Sequence, residues 1–404
     1  MIIGIPSETK LGEKRVAMVP DNVLAVIKKG AHVLFETGAG IRAGYRDGDY
    51  ESIGAELVTD RKKIFERSNI ILQVQSFGAN QENCAQDLEQ LTGEHLVIGM
   101  MDPLANPSAI QSFSKSGASA LALELVPRIS RAQSIDVLSS MATLAGYKSV
   151  LLAAAAAPRM FPLLMTAAGT LHPARVLVMG AGVAGLQACA TAKRLGGVVE
   201  AYDVRPAAQE QIISVGAKPI KLDLDTGKSE GSGGYAKDQG EEFLVRQRDL
   251  MTAVIAEQDV VITTAAVPGA KAPILVTREM VKAMKVGSVI VDLAAERGGN
   301  CELTEAGKSI EAHDVTIIGP ENIPSSLAFH ASQMYGKNLE TLLNLILDDD
   351  GNLAMDRNDE IISETLVADG GEVCHAAIRS LLGLPKLEKP MKSESAGHGD
   401  LEQD

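Results

Sequence analysis

Short apolar runs alternate with longer amphipathic stretches along most of the chain. Each run predicts a strand, and each amphipathic stretch predicts a helix. The predicted strands fall into two series, at residues 1–5, 32–36, 70–74, 96–100 and 118–124, and then at 175–179, 198–202, 218–221, 260–263, 288–293 and 314–318. Strands that alternate with helices build parallel sheets covered by helices on both faces. The pattern therefore predicts an α/β protein with two doubly wound parallel-sheet domains.

The order of the elements predicts that the second domain is inserted in the first. A helical region at 322–347 follows the second series of strands, and we expect its helix to cross back to the first domain. Residues 348–366 are polar and turn-rich, and the end of the chain lacks apolar periodicity, which indicates disorder. The predicted limits are 1–135 with 326–385 for the first domain, 136–325 for the second and 386–404 for a disordered tail.

The region between the two series is rich in alanine. Residues 135–165 predict one long helix, whose small side chains allow close packing against a neighbouring helix or a second subunit. The longest apolar stretch, 150–157, ends at Pro158 and is well short of the ~20 residues that a spanning helix needs. We therefore expect no membrane-spanning segment.

A glycine-rich turn follows the strand at 175–179 and opens a helix. Gly180 allows a tight turn, Gly182 leaves the backbone open to a pyrophosphate, and Gly185 lets the helix pack close to the sheet. The N–H groups at the helix N-terminus favour negative charge. The pattern predicts a Rossmann dinucleotide-binding domain, and an ordinary tight βα turn is the alternative.

The strand after this helix ends at an acid, Asp203. A carboxylate at this place can accept hydrogen bonds from a ribose 2′-hydroxyl and repels a 2′-phosphate. The site therefore favours NAD(H) over NADP(H), although Arg205 could offset the repulsion.

Composition narrows the partners of the chain. A net charge of −14 argues against direct binding to nucleic acid or to an anionic membrane surface, because both need clustered lysine and arginine. The four cysteines lie far apart and the histidines have no paired spacing, so neither a disulfide framework nor a metal site is predicted. The first ten residues predict a strand and a polar turn rather than a signal peptide, which favours the cytosol.

Several segments resemble one family. They include PRISRAQSIDVLSS at 127–140, MTAAGTLHPARVLVMGAGVAGLQACATAKRLG at 165–196, GGYAK at 233–237 and GSVIVDLAAERGGNCELTE at 287–305. These segments resemble the soluble NAD(H)-binding domain of the alpha subunit of proton-translocating NAD(P) transhydrogenase. The resemblance covers the chain from residue 1 to about residue 380.

The resemblance implies a function and a set of partners. It implies a homodimer that binds NAD(H) and lies on the cytoplasmic side of the inner membrane, held there by partner subunits. A membrane-spanning component would translocate protons, and a separate domain would bind NADP(H). Hydride would pass directly between NADH and NADP⁺, in an Re/Si-specific reaction that needs these partners.

The resemblance also implies roles for particular residues. Those that position the nicotinamide are Arg128, Gln133, Asp136 and Ser139, and Tyr235 is the tip of a mobile loop that closes over the cofactor. Further cofactor contacts are implied for Ile129, Ser130, Arg131, Gly234, Gln247, Thr264, Ala265 and Ala266, beside Gly180, Gly182, Val183, Gly185, Asp203, Val204 and Arg205 of the fingerprint. A polar interdomain loop, a flexible linker and a simple chain reversal remain the alternatives for these segments.

The wider family includes alanine dehydrogenase, which gives the main alternative function. Its chemistry needs a cation for the substrate carboxylate and a general acid or base near the reacting carbon. By resemblance these enzymes use a lysine where this chain has Gln75, a histidine in the loop corresponding to 99–104, and an arginine that is present here as Arg15. An active-site acid of those enzymes corresponds to Asp292, for which we expect a structural role. A transhydrogenase subunit is therefore favoured, while alanine dehydrogenase and a non-catalytic NAD(H)-binding module stay open.

Overall fold

The computed structural model describes residues 1–222, 241–267 and 269–387, except the side chains of residues 241, 242 and 244. The strands are β1 (Ile2–Ile5), β2 (His32–Glu36), β3 (Glu56–Val58), β4 (Ile70–Gln75), β5 (Leu96–Met100), β6 (Ser119–Ala122), β7 (Leu164–Thr166), β8 (Gly169–Leu171), β9 (Arg175–Met179), β10 (Val198–Tyr202), β11 (Lys218–Pro219), β12 (Val260–Thr263), β13 (Val289–Asp292), β14 (Lys308–Ala312), β15 (Val315–Gly319), β16 (Leu366–Asp369) and β17 (Glu372–Val373). The α-helices are α1 (Pro20–Lys28), α2 (Asp47–Glu51), α3 (Arg61–Arg67), α4 (Ala85–Leu88), α5 (Pro107–Ser114), α6 (Val137–Ala156), α7 (Val183–Arg194), α8 (Ala208–Ser214), α9 (Glu241–Ala256), α10 (Arg278–Ala283), α11 (Ala328–Ile346), α12 (Glu360–Thr365) and α13 (Ala376–Leu381). The predicted tail lies outside the described residues from 388 onward.

The first sheet takes strands from both ends of the described chain. Its order is β17-β16-β6-β5-β4-β1-β2-β3, in which β1 to β6 are parallel and the two C-terminal strands are antiparallel. The prediction of turn-rich chain up to residue 366 was wrong for α12. This helix forms because Asp359 caps its N-terminus through the Ile361 N–H, and because Ile361 and Ile362 pack into the core.

The second sheet comes wholly from the stretch between 175 and 319. Its order is β11-β10-β9-β12-β13-β15-β14, with all pairs parallel except the last. The pattern of apolar runs did not predict β14, which pairs with β15 across a two-residue turn whose residues, His313 and Asp314, both have positive φ. The predicted fold class, α/β with two doubly wound Rossmann-like sheets, is confirmed. The limits of the two domains stay a prediction.

The chain between the two sheets differs from the long helix that was predicted. α6 ends at Ala156, because Ala157 is extended and Pro158 follows. Residues 164–171 form a β-hairpin instead, with Leu164–Thr166 paired to Gly169–Leu171. This hairpin is a separate two-stranded sheet that pairs with neither of the large sheets.

α6 is the one described helix that is long and apolar enough to cross a membrane, with a mean hydropathy of 1.3. Length and composition alone are weak evidence that a helix spans a membrane, since the core helix of a soluble protein can have the same length and hydropathy. In this fold α6 packs against α7 and α11 and contacts the second sheet. A Cβ atom on Gly146 would come 2.1 Å from the Ala184 carbonyl oxygen, so α6 and α7 pack as closely as the small side chains predicted.

Candidate functional site

The turn after β9 carries three glycines, and each meets a different steric demand. Gly180 has a φ of +100°, which glycine adopts without steric cost. Gly185 lies buried in the first turn of α7, where a Cβ atom would come 1.8 Å from the Gly180 carbonyl oxygen. A Cβ atom on exposed Gly182 would meet none of the described residues within 4 Å. The turn therefore opens at Gly182 into a cradle that a ligand can enter.

α7 presents its N-terminus to this cradle. Gly182 is the N-cap, no described side chain caps the helix, and its first turn has no acidic residue. Val183, the first residue of the helix, is 41% exposed. The N–H groups and the helix dipole therefore favour a phosphate group at this place.

Asp203 follows β10 and is tied to the glycine turn. Its Oδ2 accepts a hydrogen bond from the Ala181 N–H at 2.7 Å, and the Arg205 guanidinium donates to both carboxylate oxygens at 2.9 Å. Only 6% of the Asp203 side chain is exposed, and Val204, between the two partners, is half-buried. The predicted acid thus lies beside the turn as half of an ion pair, which weakens the repulsion that a 2′-phosphate would meet.

The turn after β12 lies against the glycine turn, because β9 and β12 are neighbouring strands. The Thr264 hydroxyl donates to the Gly180 carbonyl oxygen at 3.0 Å, and the Thr264 N–H donates to the Met179 carbonyl oxygen at 2.9 Å. Ala265 is half-buried and Ala266 is exposed. β10 and β12 flank β9, so the chain order reverses at this edge, where doubly wound sheets bind their ligands.

Gln247 in α9 is only 2% exposed, yet neither its Nε2 nor its Oε1 has a hydrogen-bond partner among the described residues. Its neighbour is the Tyr202 hydroxyl, which also lacks a partner with good hydrogen-bond geometry among the described residues. Burial raises the pKa of Tyr202 to about 12, and the approach of the Gln247 amide opposes that rise without forming a well-aligned hydrogen bond. Because buried amides normally have partners, this one is suited to a polar group of a ligand. The open cradle at Gly182 and the Gln247 amide together fit a bound dinucleotide. The predicted loop residues Gly234 and Tyr235 lie outside the described residues.

The segment predicted to hold the nicotinamide leads from the first sheet into α6. Most of it is a 3₁₀ helix, Ser130–Ile135. Its exposed side chains include Arg128, Ser130, Arg131 and Gln133, while Ile129 is half-buried against the first core. These polar groups lie at the surface of the described part of the chain.

Two of the predicted residues in this segment pair with each other. Asp136 caps α6 by accepting hydrogen bonds from the N–H of Ser139, at 2.9 Å, and from its hydroxyl. Arg131 instead makes a two-point ion pair with Asp359, the cap of α12, at 2.6 and 3.2 Å. The first pair fixes the start of α6, and the second ties the segment to the C-terminal part of the first domain.

The close contact between α6 and α7 joins the segment that precedes α6 to the helix that follows the glycine turn. Gly146 meets the first turn of α7 at Ala184, and Ser139 lies seven residues earlier on the same helix. At a rise of 1.5 Å per residue, the start of α6 at Ser139 thus lies about 10 Å along the helix axis from the point where α6 contacts α7.

Arg15, which the resemblance assigns to carboxylate binding in the dehydrogenases, is buried and enclosed by its hydrogen-bond partners. Its guanidinium donates to the Glu13 carboxylate at 2.8 and 2.6 Å and to Asn322 at 3.0 Å. The Arg15 and Glu13 side chains are 1% and 0% exposed. Burial acts to raise the pKa of Glu13, but the hydrogen bonds and charge of Arg15 lower it to about 2. A substrate carboxylate would have to displace Glu13 to reach this cation.

The loop at 99–104, which carries a histidine in the dehydrogenases by resemblance, contacts the second domain here. Asp102 makes an ion pair with Arg297 at 2.5 Å, and its φ of +48° is uncommon for a residue other than glycine. A Cβ atom on Gly269 would come 2.5 Å from Leu104. The loop therefore bridges the two sheets.

Sequence reasoning missed Asn300, which is fully buried and holds the β12 turn. Its amide pairs with both the N–H and the carbonyl oxygen of Ala265. Asp292, expected to be structural, is also fully buried and accepts hydrogen bonds from the Asn300 N–H and from Thr263 and Thr304. The sequence signal for Asn300 was its place in the polar loop that follows Asp292, the acid at the end of a buried strand.

Two family models, curated proteins and solved structures match this chain. The family model "Alanine dehydrogenase/PNT, N-terminal domain" matches residues 4–145, and the model of the C-terminal domain matches 149–376. An NAD(P) transhydrogenase subunit alpha chain of Rhodospirillum rubrum is 43% identical over 380 residues, 94% of this chain and 99% of the relative. A transhydrogenase crystal structure from Sinorhizobium meliloti is 44% identical, covers 92% of this chain and 100% of its own, and has a TM-score of 0.82.

Alanine dehydrogenase of Bacillus subtilis matches less closely, with 28% identity over 99% of this chain and 100% of the relative. Together the two family models cover residues 4–145 and 149–376, and the Rhodospirillum rubrum relative covers 94% of the chain. The chain belongs to the alanine dehydrogenase/PNT family, and within it is more similar to these transhydrogenase chains than to this alanine dehydrogenase.

Proposed function

We propose that this chain is the NAD(H)-binding subunit of a proton-translocating, Re/Si-specific NAD(P)⁺ transhydrogenase. The observation that carries the proposal is the open cradle at Gly182, where an uncapped helix N-terminus lies beside Asp203. When bound, NADH supplies the hydride. In the proposed reaction the α7 N-terminus holds the pyrophosphate, and Asp203 accepts from the ribose.

The polar segment that precedes α6 orients the nicotinamide in this proposal. Arg128 and Gln133 are exposed, and Ser139 is held by Asp136 at the start of α6. Hydride transfer between two nicotinamides needs proximity and orientation rather than an acid or a base. Amide, hydroxyl and guanidinium groups at the surface can supply that orientation and leave the ring accessible to NADP⁺ on a partner.

The proposed partners follow from the names of the relatives, which are transhydrogenase subunits. We expect a domain that binds NADP(H) and a membrane component that couples hydride transfer to proton movement. The chain would then be cytoplasmic and peripheral on the inner membrane.

Alanine dehydrogenase is the second candidate, favoured by the 28% identity to the Bacillus subtilis enzyme. The buried pair of Arg15 with Glu13 speaks against it, because the cation that should bind a carboxylate is already neutralised. Oxidation of alanine by the isolated chain would support this candidate. Binding of NADH with no turnover, even with an NADP(H)-binding partner, would support a non-catalytic module.

Gln133→Ala is expected to lower kcat of hydride transfer about 100-fold while changing the Kd for NADH much less, because misplaced reactants lose orientation rather than affinity. Gln133 is exposed, so its loss should leave the fold unchanged. The assay follows NADH oxidation with an NADP(H)-binding partner, beside a fluorescence titration of NADH. Gln211→Ala, at another exposed glutamine, is the control. Equal losses of kcat and affinity would contradict a positioning role.

The β7–β8 hairpin supports the proposed homodimer. Isolated two-stranded hairpins are marginal in water, and this one exposes apolar side chains. They are Met165 and Leu171, which are 83% and 46% exposed, and Leu163, just before the hairpin, is 51% exposed. We infer that a second copy of the chain covers this hairpin.

Met165→Glu is expected to convert the homodimer to a monomer, because it places a charge in the centre of the inferred apolar interface. Sedimentation velocity at fixed concentration measures the change. Leu11→Glu is the control, since Leu11 is 87% exposed in the first domain, away from the hairpin in sequence. A Met165→Glu protein that still sediments as a dimer would refute the hairpin interface.

A further inference from the structure

Asn300 lies at the end of the loop that follows β13, and its whole side-chain amide is used to hold the turn after β12. The Ala265 N–H donates to Asn300 Oδ1 at 3.0 Å, and Asn300 Nδ2 donates to the carbonyl oxygens of Ala265 and Pro273, both at 2.8 Å. The Asn300 carbonyl oxygen also accepts from the N–H groups of Leu275 and Val276. One fully buried residue therefore links the backbone at Ala265 to the backbone at Pro273, Leu275 and Val276.

The backbone of Asn300 is itself held by Asp292. Its N–H donates to Asp292 Oδ2 at 2.7 Å, and the same oxygen accepts from the Cys301 N–H and the Thr304 hydroxyl. Asp292 ends β13, which pairs with β12 in register. The backbone N–H of Asn300 is thus fixed to the end of β13, and the side-chain amide of the same residue fixes the position of Ala265.

The turn that Asn300 holds is fixed on its other side by the glycine turn. Thr264 donates to the Gly180 carbonyl oxygen, so Thr264 and Ala265 are secured in opposite directions. The next residue, Ala266, is exposed at the edge where β9 separates β10 from β12. A dinucleotide that places one ribose at Asp203 on the β10 side must place its other half on the β12 side.

We propose that Asn300 is a positioning residue for the nicotinamide half of NAD(H), acting through the backbone of Ala265. The inference rests on the proposed NAD(H) site. Asn300 itself does not touch the cofactor in this proposal. It keeps the β12 turn at the spacing from the glycine turn that the dinucleotide requires, and the adenosine half at Asp203 does not depend on it.

The test compares NADH with 5′-AMP, which carries only the adenosine half. Asn300→Ala removes two donated hydrogen bonds and one accepted one, and we expect the Kd for NADH to rise about tenfold. The Kd for 5′-AMP should change less than about twofold, since Asp203 and the α7 N-terminus are unaltered. NADH fluorescence and calorimetric titration of 5′-AMP give the two constants on the full chain.

Thr304→Val is the matched control, because it removes a hydrogen bond to the same Asp292 oxygen without touching the β12 turn. It should lower the melting temperature and leave both constants near the wild-type values. Asn300→Asp, which keeps the volume and the acceptor for the Ala265 N–H, serves if Asn300→Ala does not fold. Equal weakening of both ligands, or the same NADH loss in Thr304→Val, would overturn the proposal. Failure of the wild-type chain to bind NADH would instead remove the proposed function, and this inference with it.

Discussion

Gly182→Ala is expected to raise the Kd for NADH at least about 100-fold, a loss of about 2.7 kcal/mol, while the protein stays folded. The added methyl group would enter the open cradle where the pyrophosphate must approach the backbone. Its φ of −75° and ψ of −168° are accessible to alanine, so the turn itself is not strained. NADH fluorescence titration and thermal unfolding measure the two effects.

Gly185→Ala is the contrasting variant in the same turn. A Cβ atom there would come 1.8 Å from the Gly180 carbonyl oxygen, so the backbone of the turn has to move. We expect this variant to lose NADH binding. We also expect its free energy of unfolding to fall by about 1–3 kcal/mol. Wild-type affinity in Gly182→Ala would mean that the cradle does not bind the cofactor.

Arg15→Met is expected to lower the free energy of unfolding by about 3–5 kcal/mol at pH 7, because it leaves the Glu13 carboxylate charged and buried without its partner. Urea unfolding followed by circular dichroism measures the change. The double variant Glu13→Gln with Arg15→Met removes both charges and should recover much of the loss. A double variant as unstable as the single one would show that packing, rather than charge, sets the cost.

The same pair predicts a pH dependence with a definite sign. Arg15 lowers the pKa of Glu13 from an ordinary value of 4.5 to about 2, so the carboxylate contributes stability above pH 4.5 and that contribution is lost as the pH falls towards 2. Without the Arg15 guanidinium, burial still raises the pKa of Glu13 and only the hydrogen bonds from Asn322 and from the backbone oppose it. We therefore expect a higher pKa for Glu13 in Arg15→Met, and this variant should lose stability as the pH rises. The difference in unfolding free energy between the two proteins should therefore shrink from pH 7 to pH 4.

The glycine turn and the alternating strands could be predicted because their causes are local. Gly180, Gly182 and Gly185 each answer a steric demand set by the strand before them and the helix after them. The hairpin at 164–171 gave no such signal, since its two loop residues, Ala167 and Ala168, are not those that favour tight turns. The sequence thus predicted the glycine turn and missed this hairpin, whose apolar side chains are exposed.

Contacts between distant residues set the other limits. The amide of Asn300 acts on Ala265, which lies 35 positions earlier, and no periodicity connects them. The resemblance assigns Arg15 to carboxylate binding in the dehydrogenases, whereas the fold pairs it with Glu13. Glu13 lies two positions before Arg15, and side chains at that spacing share one face of an extended chain. The ion pair was therefore predictable from the spacing of the two residues.

The return of β16 and β17 to the first sheet has a consequence for synthesis on the ribosome. Strand β6 is translated early, but its neighbour β16 emerges only after the whole second sheet has been made. Until then β6 is an unpaired edge that another nascent chain could pair with, whereas the inserted sheet has every strand it needs. The later domain can therefore mature first, and a chain released before residue 366 would carry an open edge prone to aggregation.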